Sequence, residues 1–402
     1  MNRENGSLRR MSTTACAFFV LVFLSFQTSV FAQAPKNIAI YASKRVPVSF
    51  DQLKEFAGKA ELTVLRGIEK EWEQVEIKWP DVTIKFGQSS IATDESLVQH
   101  LGGFQGYVYN RLANGKMDSQ VFGLIRQIDK TNHLYTIQAD PDISSDAIKQ
   151  FATKLAASER ALIFVNVEVF DANMKVLLGP DKSHDKDAKL PGFESAEKRK
   201  AKTTKLLAEK KLKVLDTLPV VLADEQVRLR EPKEVARRAV CLFALAAHSE
   251  REGFEWAKFL TKHNLLDSLS PKEKAFLAND KLTDQDYSSM TWRYEALWSL
   301  LWALGHVDEP GFPDKQSDAA KAMKIVMENP GDLIEKAKLR PASAILDQAD
   351  LLYRCMWICR DAQQNQKKLE GLSMSVVFER LYALNWLIHH GNANWDNVQT
   401  DS

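Results

Sequence analysis

Cysteine is scarce in this chain, with four in 402 residues, and that excludes a disulfide scaffold. Thirteen Pro and seventeen Gly are too few for a low-complexity linker or a collagen-like repeat. An excess of one charge is missing as well. Lys and Arg number 54 against 53 Asp and Glu, net +1, so no global field draws the chain to nucleic acid. What is present is 45% hydrophobic and 27% charged residues, a balance that builds cores and argues against disorder. At roughly 100–200 residues per domain, the length suits two cores.

Apart from buried helices, one apolar run stands out, residues 15–26 (ACAFFVLVFLSF). Arg3, Arg9 and Arg10 precede it, and Val30-Phe31-Ala32 puts small residues at the −3 and −1 positions before Gln33. Basic, greasy and then small-x-small is the secretory pattern, with cleavage between Ala32 and Gln33. The run falls short of the roughly 20 residues of a bilayer span, so a retained anchor is the alternative to a cleaved signal. Arg9-Arg10 lacks the apolar residues that should follow a twin-arginine signal. Cleavage leaves 51 basic and 52 acidic side chains and three cysteines, Cys241, Cys355 and Cys359. The expected location is the periplasm or the outside of the cell, with no stable membrane span after cleavage.

Residues 36–180 alternate strand and helix. Residues 37–42 (NIAIYA) read as a buried strand, and Ser49 as the N-cap of a helix carrying Leu53, Phe56, Ala57 and Ala60. A period-2 hairpin follows at residues 75–79 and 82–86. The pattern then recurs 95 residues on, with Tyr135 and Ile137 standing where Ile40 and Ala42 stood, Ser144 for Ser49, Ile148 for Leu53, and Phe151-Ala152 for Phe56-Ala57. A second hairpin runs from residue 162 to 170 and from 175 to 178, with its turn at Asp171-Ala172-Asn173. Helical stretches lie between the halves near residues 94–112 and 117–130. Two βαββ copies sharing one sheet, with helices on one face, is the arrangement this implies. Gly102-Gly103-Phe104-Gln105-Gly106 follows no strand and ends in no Lys-Ser/Thr, so it reads as a turn or break rather than a phosphate loop.

Residues 181–194 mix Asp and Lys and mark a boundary. Residues 195–213 then carry eight Lys or Arg against two Glu, with Leu206, Leu207, Leu212 and Leu215 on one helical face. Such a helix either lies on an anionic membrane or packs with a solvated lysine face. The rest, residues 195–402, reads as an all-α domain, and seven of the nine Trp fall in it. Ser270-Pro271-Lys272-Glu273 is a full helix start, with Ser at the N-cap, Pro at N1 and Glu at N3. The predicted class is α+β, a duplicated βαββ domain followed by a helical one.

Residues 288–305 (SSMTWRYEALWSLLWALG) hold the odd chemistry. Between residues 294 and 304 only Glu295 and Ser299 are polar, and a helix apolar nearly all round is a buried one. A carboxylate there needs a cation or donors from another helix, because Arg293, two residues back, points elsewhere. The available partners are Arg237 and Arg238 in EVARR, the stripe of Asp347, Asp350, Arg354 and Asp361, and Arg380 in FERLYALNWLIHH. Either the set is a buried ion-pair network fixing helix register, or it is a polar pocket among aromatic walls for an anionic or glycan-like ligand. Cys355 and Cys359 sit four apart on one helix, a poor disulfide geometry, and no His completes a zinc set; all three thiols read as core. His389-His390 reads as the last turn of a helix before a Gly391 cap, where a cation helps the dipole. No motif of a metalloprotease, serine hydrolase or nucleophilic cysteine is present, and no cofactor is implied.

The strings LREPKEVARRA, LSPKEKAFL, TWRYEALWSLLWALG, ILDQADLLYRCMWICRDA and RLYALNWLI…WDNVQTDS, in that order, resemble the domain of unknown function 4272 family over about residues 195–402. The resemblance implies a compact helical domain and no activity. Its pattern positions include Arg237, Arg293, Glu295, Asp350, Arg354, Arg380, Asn385, Trp386, Trp395 and Asp396. The α/β half resembles no family. Together these readings point to an exported binding or interaction module whose partner is a protein or a cell-envelope component, with no role on nucleic acid. The alternatives are a hydrolase of envelope polymer, using Glu295 with Asp350 or Asp396 as its acid–base pair, and an inhibitor or immunity-type partner.

Overall fold

In a computed structural model of the chain, the described residues are 37–111, 119–139 and 143–400. The signal segment and its cleavage point at Ala32–Gln33 lie outside them. The first half contains β1 (Asn37–Ala42), α1 (Phe50–Ala57), β2 (Glu61–Ile68), β3 (Glu71–Lys78), β4 (Thr83–Ser90), α2 (Glu95–Asn110) and α3 (Ser119–Asp129). It continues with β5 (His133–Ala139), α4 (Asp146–Glu159), β6 (Ala161–Val165), β7 (Glu168–Phe170) and β8 (Val176–Leu178). The strands form one antiparallel sheet in the order β2-β3-β4-β5-β1-β6-β7-β8.

The α+β class and the single sheet are as expected; the finer unit differs. Each strand–helix pair is followed by three strands, not two. The sheet is covered on both faces, not one. Alternation along the central strands explains the second point: Ile38, Ile40 and Ala42 of β1 pack with Tyr135, Ile137 and Ile163 under α1 and α4. Tyr41, with Leu134 and Leu162, faces α2 and α3 on the other side. A strand buried on both faces reads as a continuous apolar run, as residues 37–42 do. The repeated pairs β1–α1 and β5–α4 meet at the middle, with Ile40 opposite Tyr135. Their meanders then attach oppositely, by the last strand β4 on β5 and by the first strand β6 on β1.

Ser49 caps α1 through a full capping box with Gln52, its hydroxyl accepting from the Gln52 N–H at 3.2 Å. The second cap is Ser145, one residue later than the repeat predicts. The glycine-rich stretch makes no break, because α2 runs through it on a stripe of Leu97, Leu101, Phe104 and Val108. The strand expected over residues 162–170 is instead a tight hairpin turning at Asn166 and Val167, both with positive φ. A β-branched residue in that conformation is rare, and the Tyr107 hydroxyl donates to the Val167 carbonyl at 2.5 Å. The boundary segment is stitched down too: the buried Asp171 carboxylate accepts from the N–H groups of Asn173, Lys175 and Lys189.

The helical half comprises α5 (Glu194–Glu209), α6 (Pro232–Ser249), α7 (Trp256–Lys262), α8 (Pro271–Leu277), α9 (Asp284–Thr291), α10 (Arg293–Ala303), α11 (Ala319–Glu328), α12 (Pro330–Glu335), α13 (Ala342–Gln364) and α14 (Met374–Leu387). The α10 helix lies between α6 and α14, and α13 backs α14; every residue of α10 after Arg293 is buried. The basic α5 packs with Leu207 inside and Leu206 outside, its Arg199 buried against Asp224 and Asp347. No helix among the described residues is long and apolar enough to cross a membrane. The halves are joined by Arg45 N–H to the Glu225 carbonyl (2.9 Å), Asn132 Nδ2 to Gln226 (3.0 Å) and Lys130 Nζ to Val220 (3.1 Å).

Two glycines should respond to alanine with opposite signs. Gly67 has φ +91°, and a Cβ there would meet the Glu71 carbonyl at 2.3 Å, so Gly67→Ala should lose about 2 kcal/mol. Gly102 is helical, and its Cβ would meet nothing within 4 Å, so Gly102→Ala should gain about 0.5–1 kcal/mol. Urea unfolding of the two variants measures both.

Candidate functional site

Glu295 sits in the first turn of α10, 3% exposed. Its partner comes from another helix, as burial demands: Arg380 of α14 donates from Nε to Oε2 at 2.9 Å. The other oxygen accepts from the Ser317 N–H at 2.6 Å and the Ser317 hydroxyl at 3.0 Å. Arg380 then spends Nη1 on the carbonyls of Pro310 and Gly311 at 2.9 and 3.0 Å. Beside this pair, Arg293 donates to Glu379 at 2.9 Å and lies over the Tyr382 ring. Burial raises the Glu379 pKa above its ordinary value; Arg293 opposes the shift and the nearby Glu295 charge adds to it.

The remaining predicted residues form separate groups. Asp350 and Arg354 pair bidentately within α13 (2.8 and 3.0 Å), both essentially unexposed, and Arg354 Nη2 reaches the Pro219 carbonyl. Asp396 accepts from the Ser270 hydroxyl at 2.6 Å and the Lys272 N–H at 3.0 Å, so it latches the C-terminal segment onto the start of α8. Arg237 is exposed and belongs to none of these groups. Its neighbour Arg238 turns inward instead, donating to Glu273 at 2.6 Å and to the Ser268 carbonyl at 2.8 Å, with its guanidinium over the Trp395 ring. Asn385 holds the Gln399 carbonyl at 2.7 Å, and Trp386 meets Trp395 edge to face. The sequence reading missed Glu379, Glu273 and Ser317 as partners, and it offered Arg238 to Glu295 where the structure gives it to Glu273. Glu379 adjoins Arg380, and the capping box had already placed Glu273.

Of Arg237, Arg293, Glu295, Asp350, Arg354, Arg380 and Asp396, Glu295 alone lines the cleft beside it, a space of about 340 Å³. Trp292, Tyr294 and Thr291 form one side; Ser317 and Gln316 another; Glu250, at the end of α6, is at the edge. Tyr294 is 4% exposed and its hydroxyl makes no well-formed hydrogen bond, although the Glu250 carboxylate is close enough to interact with it. Burial first, and then the carboxylates of Glu250 and Glu252, push its pKa up. No Lys, Arg or His lines the cleft.

Residues 199–398 match the model of the family described as Domain of unknown function (DUF4272). The match begins inside α5 and ends beyond α14, so it covers the buried charges of the helical half and leaves the α/β half outside. No curated protein and no solved structure matches the chain. The resemblance read from five ordered strings is therefore a family match over the helical half.

The remaining candidates are the buried thiols and the half-buried histidine pair. Cys241, Cys355 and Cys359 are free thiols in the core, and burial pushes Cys241 up to about 12 and Cys359 to about 11, far from the thiolate that reactivity needs. Among the described residues no group of three His, Cys, Asp or Glu is placed to hold a metal ion. The helix ends at Leu387, before the histidine pair. His389 takes the left-handed conformation with φ 53°, and burial plus Arg230 and Arg228 drive its pKa down to about 3. It is held neutral and gives the dipole no cation.

Two measurements follow from these environments. Glu295→Gln should cost about 3 kcal/mol, because it strands the Arg380 charge in the core, and adding Arg380→Met should restore part of that loss in a double-mutant unfolding cycle. For His389 the unfolded chain takes up a proton near pH 6.5 while the folded chain refuses it until about pH 3. Its contribution is therefore intact above pH 6.5 and lost as the pH falls toward 3. His389→Asn tolerates the left-handed backbone and should show a shallower fall in stability between pH 6.5 and 4 than the native chain.

Proposed function

We propose that this protein is an exported binding module that engages a protein or cell-envelope component, and that the cleft beside Glu295 is where it takes hold. The observation that carries the reading is the buried Tyr294 hydroxyl, which lines that cleft with no well-formed hydrogen bond and only the Glu250 carboxylate close to it. A buried polar group without a hydrogen bond costs about 1–3 kcal/mol, and a ligand group that fills the cleft and meets the hydroxyl recovers it. The volume of about 340 Å³ falls within the range of small-ligand sites. Export rests on the basic, apolar and small-x-small order of residues 3–32.

Binding has more support than turnover. Glu295 accepts two hydrogen bonds from Ser317 and one from Arg380, so both its oxygens are committed within the fold and it is fixed as a wall of the site. Asp350 is held by Arg354 and Asp396 by the start of α8; neither lines the cleft. The acid–base pair a hydrolase would need is thus not supported by these carboxylates.

Thermal unfolding of residues 33–402 with envelope oligosaccharide and peptide fractions tests the reading. A fraction at 100 times its Kd should add about 2.7 kcal/mol, or roughly 2–4 °C for a protein this size. Tyr294→Phe should keep the unligated Tm and lose the shift. The reading fails if no fraction stabilises the chain, or if the shift survives in Tyr294→Phe. Release of product from a fraction would replace binding with turnover.

A further inference from the structure

The charge around the cleft narrows its ligand, and the argument rests on the binding reading above. Glu295 and Glu250 both line the space, and no cationic side chain does. The two carboxylates are not equivalent. Glu295 is neutralised from behind, because Arg380 reaches its far oxygen from α14, so its charge belongs to the scaffold. Glu250 is exposed at the C-terminal end of α6 and makes no ion pair among the described residues. It also stands where the helix dipole is already negative, with Glu252 close enough to act on the same tyrosine. An anionic ligand would be repelled here. A neutral sugar would use the hydroxyls of Ser288 and Thr291 and leave the Glu250 charge unanswered.

The buried Tyr294 hydroxyl makes no well-formed hydrogen bond and has the Glu250 carboxylate close to it, and Trp292 lines the same space. Because burial and the carboxylates of Glu250 and Glu252 hold the phenol in its neutral form, its oxygen keeps lone pairs to offer a donor. A free carboxylate, a phenol oxygen and the face of an indole are the groups that recognise a compact cation.

We infer that the cleft receives a primary ammonium group presented by a polypeptide, its charge met by Glu250 and one N–H by the Tyr294 hydroxyl. A lysine side chain and a peptide amino terminus offer the same chemistry. The volume of about 340 Å³ admits either together with part of its backbone.

Calorimetric titration of residues 33–402 with three peptides decides it: one with an internal lysine and a blocked amino terminus, its Nε-acetylated copy, and one with a free amino terminus and no lysine. The lysine or amino-terminal peptide should bind, and removal of its charge should weaken it about tenfold or more. Glu250→Gln should weaken the charged peptide to a similar degree with an unaltered Tm. Equal binding of the acetylated peptide, or an undiminished affinity in Glu250→Gln, overturns the ammonium assignment. If the peptides fail while a neutral glycan binds and Tyr294→Phe abolishes that binding, the inference falls and the cleft stands. If no probe binds at all, both fall.

Discussion

Burying Glu295 obliges the helical half to deliver a cation to it, and much of the domain is arranged around that delivery. An ionised carboxylate inside a helix pair is tolerable only with a charge-assisted bond and with its remaining lone pairs occupied. Arg380 supplies the first and Ser317 the second. The consequence is geometric. One guanidinium fixes the register of α14 on α10, and through Pro310 and Gly311 it also fixes the loop between α10 and α11. Because Gln316 and Ser317 belong to that loop, the same charge that orders the core sets one wall of the cleft.

The device recurs. Arg354 divides its donors between Asp350 and the Pro219 carbonyl, Arg238 between Glu273 and Ser268, and Arg199 between two aspartates and Leu222. Arg230 and Arg340 reach loop and helix-end carbonyls in the same way. Short helices joined by long connections leave many backbone carbonyls without helical partners, and buried ones must be met by something. Arginine suits the task because its planar fork serves a carboxylate and a carbonyl at once. Lysine, with a point charge, would serve only one well. This accounts for the buried arginines within residues 199–398, the span that matches the family model: a helical scaffold can depend on them without any of them touching a ligand. The burial of Arg354 and Asp350 speaks for structure, whereas Tyr294 and Glu250 face open space and have no comparable structural task.

The legible features were those with strict periodicity. The continuous apolar run of β1, the period-2 hairpin of β3 and β4, the helix caps at Ser49 and Ser270, and the nearly all-apolar α10 were all readable, and from α10 it followed that Glu295 is inside. What escaped depends on phase or on backbone conformation. Arg237 and Arg238 differ by one position, about 100° around a helix, and only the packed neighbours decide which enters the core. β2 is an edge strand with few buried residues, so its sequence carries little pressure to look like a strand. The Asn166–Val167 turn was hidden because Val does not advertise a positive φ. His389 was misread because the helix stops two residues before it, which only tertiary packing dictates. The cleft was out of reach altogether, since Glu250, Tyr294 and Ser317 lie on three elements with no common spacing.

A binding site beside a structural ion pair has a physical logic of its own. Recognition by a charged side chain is strongest when the surrounding dipoles cannot reorganise. Here one carboxylate is immobilised by its arginine and two serine donors, and Tyr294 next to it is packed in the core. Only Glu250 keeps the freedom of an exposed side chain. A rigid floor with one adaptable acidic rim favours a small cation that approaches from the open side, and the locked pair behind it keeps the wall from collapsing when the cleft is empty. The α/β half reaches the same domain through backbone and amide contacts at Glu225, Gln226 and Val220, which leaves the cleft residues free of that joint.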